Sequence, residues 1–426
     1  MLPGDRRTGG DFIEERAYPQ GDLAPQQRRN LRTFWIEGAV WGAAESLTAP
    51  FISLYALSFG ASSAQIGLLS SFASLLTGLG LWPGAYLGSR WGHKLVAILM
   101  YKSLYILMPA AMAILPLALH GEVIVHGIIV LYALQLFFNS AGLPSWTVVA
   151  GAIVPRHIRG RYLSFRSASQ TLMALLLIPL AGFLIRTLPQ PGGYQICFVA
   201  AAVIGVISTA LYARLPEPDR TSEVGGRFGG FWRTVKQDRE FLLFIAAAVA
   251  WTLSLTVADP FYNVFMVRQL GLDTAAIGIL ASITTASRLI AFRVFGPLSD
   301  RIGEKRTLVY AGLLAPFARI AFLFVRSAWH IAPISAYAGF FQGGFDLIAF
   351  NLFLAVAPVE RQARYSALYR TLVALGSFTG PLIGGQLYGR FGFSANLLVS
   401  AAGLLVTAAV YWLAAVRRGR QSALAG

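Results

Sequence analysis

The chain has 426 residues, of which 56% are hydrophobic and 13% are charged, and its formal net charge is +16. A soluble domain carries roughly 25% charged residues, so this chain lacks the polar side chains needed to cover a surface exposed to water. Its hydrophobicity also excludes an intrinsically disordered chain. The 35 Lys and Arg residues lie in short runs between long apolar stretches. That pattern is typical of membrane topology and argues against nucleic-acid binding.

Twelve apolar segments are long enough to span a bilayer, which takes about 20 residues. In chain order they cover residues 33–58, 65–88, 94–119, 123–154, 161–188, 195–215, 241–267, 274–298, 305–326, 331–357, 363–389 and 393–416. The predicted fold class is therefore an all-α integral membrane protein. Its predicted parts are an N-terminal tail (1–32), a six-helix bundle (33–213), a linker rich in Pro, Gly and charge (214–240), a second six-helix bundle (241–416) and a C-terminal tail (417–426).

The distribution of basic residues predicts the orientation. If the N-terminus is cytoplasmic, 27 of the Lys and Arg residues, Arg166 among them, fall in cytoplasmic segments and 4 on the opposite face. The positive-inside rule then places both terminal tails and the linker in the cytoplasm. The basic residues comprise 31 Arg and 4 Lys, a bias that is typical of bacterial proteins from GC-rich genomes, so we expect a bacterial inner membrane.

The two halves of the chain resemble each other in sequence. The matches keep an offset of 210 or 211 up to the third helix and 203 after it: 49–51 with 259–261, 60–69 with 271–280, 89–92 with 300–303, and 138–139 with 341–342. Repeats of this kind build transporters whose substrate site lies between the repeats, near the middle of the bilayer.

Ionisable side chains at membrane depth are costly and indicate function. Glu45, Asp259 and Asp346 are the candidates for proton coupling. Arg288 is either the counter-ion of Asp346 or a contact for an anionic substrate, and the sequence leaves both open. A carboxyl group paired with Arg stays ionised, whereas an isolated buried one keeps its proton.

Neutral polar and aromatic side chains point to a central cavity, because amide groups facing lipid would be costly. The cavity candidates are Trp41, Gln135, Asn139, Arg288, Gln342 and Asn351. A mixed aromatic and polar lining favours an amphipathic solute.

Other charged residues at membrane depth are harder to place. Glu37 and Arg293 are expected to reach the cytoplasmic interface by snorkelling. Lys102 and Arg319 lie in spans 3 and 9 without a predicted partner.

Residues 296–306 read G-P-L-S-D-R-I-G-E-K-R, between spans 8 and 9. This segment resembles the loop signature of the major facilitator superfamily, G-x-L-x-D-R-x-G-x-K/R-R, and its repeat copy at 85–94 lacks the acid. The resemblance implies a cavity lined by helices 1, 4, 7 and 10, and a conformational latch. The latch residues are Gly296, Asp300, Arg301, Gly303, Lys305 and Arg306, with Arg364 or Arg370 as partners on helix 11.

Two departures from the family's proton-driven exporters weigh against antiport. Span 4 lacks the Arg of the exporter pattern, and the G-P-x-x-G-G pattern occurs at 380–385 in span 11 instead of span 5.

These features together predict a secondary active transporter of a small organic solute, coupled to protons or another ion and working by alternating access. The sequence contains no P-loop, so direct use of ATP is not expected. We expect no enzyme activity, no cofactor, no metal site and a monomer in the lipid bilayer. An uncoupled facilitator and a non-transporting receptor or assembly protein are the alternatives.

Overall fold

The computed structural model describes residues 24–155, 158–217, 235–356 and 362–424. The helices in these ranges are numbered here as twelve: α1 (Pro25–Ser46 and Ile52–Ser58), α2 (Ser63–Trp91), α3 (His93–Val96, Ala97–Leu104 and Tyr105–Ala118), α4 (Glu122–Ile153), α5 (Arg159–Thr187), α6 (Gly192–Ala213), α7 (Arg239–Thr256 and Phe261–Arg268), α8 (Thr274–Ile302), α9 (Glu304–Leu314 and Phe317–Phe322), α10 (Ala328–Val356), α11 (Gln362–Phe391) and α12 (Phe393–Leu424). The predicted all-α fold of twelve helices is confirmed. Eight helices in these ranges are long and apolar enough to cross a membrane.

The helix ends differ from the predicted spans. Helix α1 already begins at Pro25, and α12 continues to Leu424, beyond the predicted end at residue 416. Each extension contains three Arg residues together with Gln and Leu, and these residue types favour helix in water as well as in a membrane. Most of the predicted N-terminal tail (1–23) and linker (218–234) lies outside the described residues.

Four helices are interrupted, and the interruptions occur in repeat-related pairs. Helix α1 has a 3₁₀ turn at Ala49–Phe51, and α7 is broken before Phe261. Pro50 and Pro260 lie at these breaks, and proline cannot donate the backbone hydrogen bond of a continuous helix. Helices α3 and α9 are the second pair: α3 contains the π-helical segment Ala97–Leu104, and α9 is broken before Phe317. The repeat seen in the sequence is therefore also a repeat of backbone irregularities.

Glycines at the loops reproduce the same repeat. Gly60 and Gly271 have φ angles of 83° and 62°, and Gly92 and Gly303 have φ angles of 99° and 88°. Each pair is separated by the offset of 211 found in the sequence. Side chains with a Cβ rarely adopt these angles, so the two short connections that precede α2 and α8, and the two that follow them, are built in the same way.

The two halves contact each other on one side of the molecule. We call the side that carries the start of α1, the end of α6 and the start of α7 the linker face, and the opposite side the far face. Near the far face, Asn263 donates to the Ser53 hydroxyl at 2.9 Å, and Arg186 pairs with Asp273 at 3.1 Å. Helices α2 and α11 also approach closely there, since a Cβ on Gly67 would meet the Pro381 carbonyl.

Towards the linker face, α2 exposes large side chains. Trp82 and Tyr86 expose 50% and 61% of their surface. Among the described residues, the contacts between α2 and α11 run from the far face to the middle of the helices, where a Cβ on Gly78 would meet Ala374.

Candidate functional site: charged groups at membrane depth

The N-terminal half contains a fully buried charge cluster, which we call the Glu37 cluster. Glu37 on α1 is 0% exposed and accepts hydrogen bonds from the Lys102 ammonium group of α3, from Arg166 of α5 at 2.9 Å and from Ser208 of α6 at 2.9 Å. Arg166 also donates to the Phe34 carbonyl at 3.2 Å. One carboxylate therefore joins four of the six helices of this half.

The cluster corrects two expectations and explains a third observation. Glu37 was expected to reach the interface, but α1 begins at Pro25, so Glu37 lies three turns inside the helix. Arg166 was assigned to a cytoplasmic segment, but it lies two turns inside α5 and is 5% exposed. Lys102, which had no predicted partner, is held by Glu37. Burial of these charges is tolerated because each one is paired and hydrogen-bonded.

Trp41 and Gln135, two of the predicted cavity residues, are buried inside the N-terminal half in this structure. Trp41 is 2% exposed and packs against Tyr101 and Tyr105, with ring centroids 5.1 Å and 5.0 Å away. The Lys102 ammonium group lies 3.8 Å from the Trp41 ring centroid, a cation–π geometry. Gln135 is 1% exposed. Both side chains thus lie in the interior of their own half, where the Gln135 amide oxygen has no hydrogen-bond partner among the described residues.

Glu45 lies two turns beyond Glu37 on α1 and is only partly buried. Its carboxyl group lies beside the Tyr105 hydroxyl, and its charge acts on Tyr132 and Lys102. Among the residues that the structure describes, Glu45 takes part in no ion pair. Of the three proton-coupling candidates, Glu45 is the one whose carboxyl group has no ion pair among the described residues.

In the C-terminal half, Arg288 of α8 pairs with Asp346 of α10. The Arg288 Nη2 to Asp346 Oδ2 distance is 2.7 Å, and Gln342 donates to the other carboxylate oxygen at 2.9 Å. The side chains of Arg288 and Asp346 are 43% and 41% exposed. Of the two roles that the sequence left open for Arg288, the geometry shows the counter-ion. Half of each group remains accessible to a ligand.

Asp259 and Arg319 form a second ion pair in this half. Arg319, which also had no predicted partner, donates to Asp259 at 3.0 Å and to the Ser400 hydroxyl of α12 at 2.7 Å. Arg319 is buried, whereas the Asp259 side chain is 48% exposed. The charge of Asp259 acts on that of Asp346, so the two half-exposed carboxylates lie near each other in the C-terminal half.

The remaining predicted cavity residues, Asn139 and Asn351, are half-buried. They lie on α4 and α10.

The predicted latch is only partly visible. The side chains of Asp300 and Arg364 lie outside the described residues. Arg301, Lys305, Arg306 and Arg370 are exposed at the linker face, and Lys305 pairs with Glu240 at 2.9 Å. Gly303 makes the expected turn with a positive φ.

Gly296 does not behave as expected. A Cβ at this position would meet no heavy atom of the described residues within 4 Å. The expected close approach of two backbones at Gly296 is therefore not found.

Comparison with known proteins agrees with this architecture. The sequence profile of the Major Facilitator Superfamily matches residues 35–263 and 252–425. The chain is 26% identical over 415 residues to a multidrug resistance protein MdtG of Dickeya zeae (strain Ech586), covering 94% of this chain and 98% of that protein. It is 27% identical over 418 residues to MdtG of Salmonella typhimurium (strain LT2), covering 93% and 98% of the two chains.

Solved structures show the same fold. A bacterial homologue of the human lysosomal transporter Spinster, in an inward-facing and occupied conformation, has a TM-score of 0.71 at 15% identity, covering 92% of this chain and 97% of that one. A D-xylose–proton symporter has a TM-score of 0.68 at 15% identity, covering 90% and 96%. With a family match that spans both halves and the fold to go with it, this chain belongs to the Major Facilitator Superfamily of membrane transporters.

Proposed function

We propose that this protein is a proton-coupled transporter of small amphipathic organic compounds in a bacterial inner membrane. The observation that carries the proposal is the set of half-exposed charged groups at membrane depth, on α1, α7, α8 and α10. Charged groups there are costly, and they mark substrate and ion pathways. The relatives named as multidrug resistance proteins support drug-like solutes as the substrate class.

Glu45 is the proposed proton-binding group. Asp259 and Asp346 are each paired with an arginine, whose positive charge favours the ionised carboxylate. Glu45 has only neutral hydroxyl groups in direct reach, with the Lys102 charge further away. Its carboxyl group can therefore gain and lose a proton with less interference from a fixed partner.

The C-terminal half is the proposed substrate-binding side. Arg288 and Asp346 present one positive and one negative group to the internal space, and aromatic rings of Phe341 and Tyr369 lie on the same helices or on the adjacent α11. An amphipathic compound can place its polar group against the ion pair and its apolar part against the rings. Asn139, Gln342 and Asn351 are proposed as additional polar contacts.

The linker face is the proposed cytoplasmic side, in agreement with the excess of Lys and Arg there. Because the halves contact each other near the far face, the structure corresponds to a state that opens to the cytoplasm. The latch around Asp300 and Arg364 is then proposed to hold the cytoplasmic side closed in the opposite state. The residue ranges 33–213 and 241–416 are proposed as the two bodies that rock against each other.

The test is flux into proteoliposomes with an imposed pH gradient, using ethidium as a cationic probe and chloramphenicol as an uncharged one. We expect a pH gradient to accelerate the flux of at least one probe, and Glu45→Gln to abolish that acceleration. Glu122→Gln, at an exposed position of α4, is the matched control and should behave like the wild type.

Two outcomes contradict the proposal. Flux that is the same with and without the gradient indicates a facilitator. Binding of a probe without any flux indicates a receptor or assembly protein.

A further inference from the structure

Three side chains of α1 form a ladder along one face of the helix. Glu37, Trp41 and Glu45 are spaced four residues apart in the continuous helix Pro25–Ser46, and residues four apart lie above one another. All three interact with the same residue of α3: Glu37 binds Lys102, the Trp41 ring lies against its ammonium group, and the charge of Glu45 acts on it. The two carboxyl groups thus lie on either side of the aromatic ring, roughly 12 Å apart along the helix axis.

Glu37 does not depend on Lys102 alone. Arg166 and Ser208 hold its two oxygens at 2.9 Å each. Arg166 is fixed by a second bond to the Phe34 carbonyl, and its planar guanidinium group suits a permanent pair. Lys102 has a flexible stem and a compact charge. It can therefore leave Glu37 without exposing an unpaired carboxylate, whereas Arg166 cannot.

The charges around Lys102 do not balance within the Glu37 cluster. Lys102 and Arg166 carry two positive charges against the single negative charge of Glu37, and the rings of Tyr101 of α3 and Tyr212 of α6 also face Lys102. Glu45 is the nearby acid that completes the balance when ionised. The titratable groups facing Glu45 are Tyr101, Lys102 and Tyr105 of α3 and Tyr132 of α4.

We propose that Lys102 is a positioning residue whose ammonium group moves between Glu37 and Glu45 across the Trp41 ring. When Glu45 loses its proton, Lys102 swings towards it; when Glu45 is protonated, Lys102 returns to Glu37, as in the structure described here. The inference rests on the proposed function, since that assigns the coupled proton to Glu45.

During this movement the Lys102 ammonium group stays in favourable cation–π contact with the Trp41 ring. The π-helical segment Ala97–Leu104, which contains Lys102, is a local irregularity of the type found at functional sites. Movement of Lys102 breaks and remakes the tie between α1 and α3 while Arg166 preserves the tie between α1 and α5. A proton taken from the cavity thereby changes the packing of one helix pair inside the N-terminal half.

The chain has four lysines, at positions 94, 102, 236 and 305, so the side-chain nitrogens can be resolved by NMR. The full-length protein in nanodiscs is labelled with ¹⁵Nζ-lysine, and the Lys102 signal is assigned with Lys102→Arg. Infrared difference spectroscopy follows the protonated carboxyl band of Glu45, assigned with Glu45→Gln. We expect the Lys102 signal and the Glu45 band to change with the same midpoint pH, and the Lys102 signal to be independent of pH in Glu45→Gln.

The exposed pair of Lys305 and Glu240 is the internal control, because its lysine signal should be unaffected by Glu45→Gln. As a second measurement, Lys102→Gln should move the midpoint of the Glu45 band to higher pH by about one unit, since a nearby positive charge favours the carboxylate. Lys102 acts on Glu45 through its charge even while it is bound to Glu37, so this shift measures the coupling of the two groups, and the pH dependence of the Lys102 signal decides whether the ammonium group moves.

The outcomes separate this inference from the proposed function. If Glu45 titrates and flux is coupled to protons, but the Lys102 signal stays fixed, the movement of Lys102 is refuted and the transport proposal stands. If Glu45 does not titrate and flux is insensitive to the pH gradient, the proposed coupling fails and the Lys102 movement fails with it.

Discussion

The two halves share a backbone plan but distribute their charges differently. In the N-terminal half, Glu37, Lys102 and Arg166 are at most 5% exposed and tie helices to one another. In the C-terminal half, Asp346, Arg288 and Asp259 are 41% to 48% exposed and border an internal space. The repeated fold thus supports a packed, charged interior in one half and an accessible charged surface in the other.

The charged residues of the two halves do not lie at repeat-equivalent positions. With the offset of 203, Arg166 corresponds to Tyr369, and Asp346 corresponds to Leu143. With the offset of 211, Lys102 corresponds to Leu313, next to the break in α9 that precedes Arg319. The backbone irregularity is repeated in α3 and α9, and in both it accompanies a buried cation. The irregularity is thus common to the two halves, whereas the positions of the charged residues differ.

The largest difference between the halves should appear in stability. Glu37→Ala leaves Lys102 and Arg166 buried without their carboxylate, which should cost about 3–5 kcal/mol. Asp346→Ala leaves only a half-exposed Arg288 and should cost about 1 kcal/mol or less. Thermal unfolding of both variants in the same detergent measures the contrast. Equal losses of unfolding free energy for the two variants would show that the difference in burial does not affect stability.

A smaller effect, on transport alone, should come from the pair in the C-terminal half. Arg288→Ala should reduce the rate of probe flux by roughly tenfold while the unfolding temperature changes little, because this pair faces the internal space where polar groups serve transport. The exchanged double variant, Arg288→Asp with Asp346→Arg, should recover part of the flux if the pair acts as a pair. Arg326→Ala, at an exposed position, is the control. Loss of folded protein in Arg288→Ala would instead assign this pair to stability.

The fold was predictable because the bilayer fixes the length of an apolar segment. Twelve spans, the division into two halves and the repeat all followed from hydropathy and spacing. The start of α1 at Pro25 did not, since polar helix-forming residues extend a helix beyond the membrane without any change in hydropathy. That extension is also the reason why Glu37 was placed near the interface when it lies deep in the bundle.

The site was predictable only in part. Pairing of Arg288 with Asp346 was one of two alternatives, because both groups had similar depth on neighbouring helices. The partners of Glu37 are 65, 129 and 171 residues away, and a single sequence contains no signal that joins such positions. Trp41 was assigned to the cavity because an aromatic residue beside buried polar groups suits a substrate site equally well. In the structure, the Trp41 ring packs against the Lys102 ammonium group instead.

The smallest predicted effects concern Gly84 of α2 and Gly296 of α8, which differ in how closely their surroundings pack. A Cβ on Gly84 of α2 would lie against the backbone of Ala141 on α4, so Gly84→Ala should destabilise the N-terminal half by about 1–3 kcal/mol. At the equivalent C-terminal positions the sizes are exchanged: Phe295 of α8 packs against Gly344 of α10. Gly296→Ala should be neutral or should stabilise the protein by up to about 1 kcal/mol. A Cβ at Gly296 would meet no heavy atom of the described residues within 4 Å, and the N-terminal half already has alanine at the equivalent position, Ala85. Paired unfolding temperatures measure both changes. If Gly296→Ala lowers the unfolding temperature as much as Gly84→Ala does, the linker-face end of α8 packs closely against its neighbours, and the contrast between α2 and α8 is wrong.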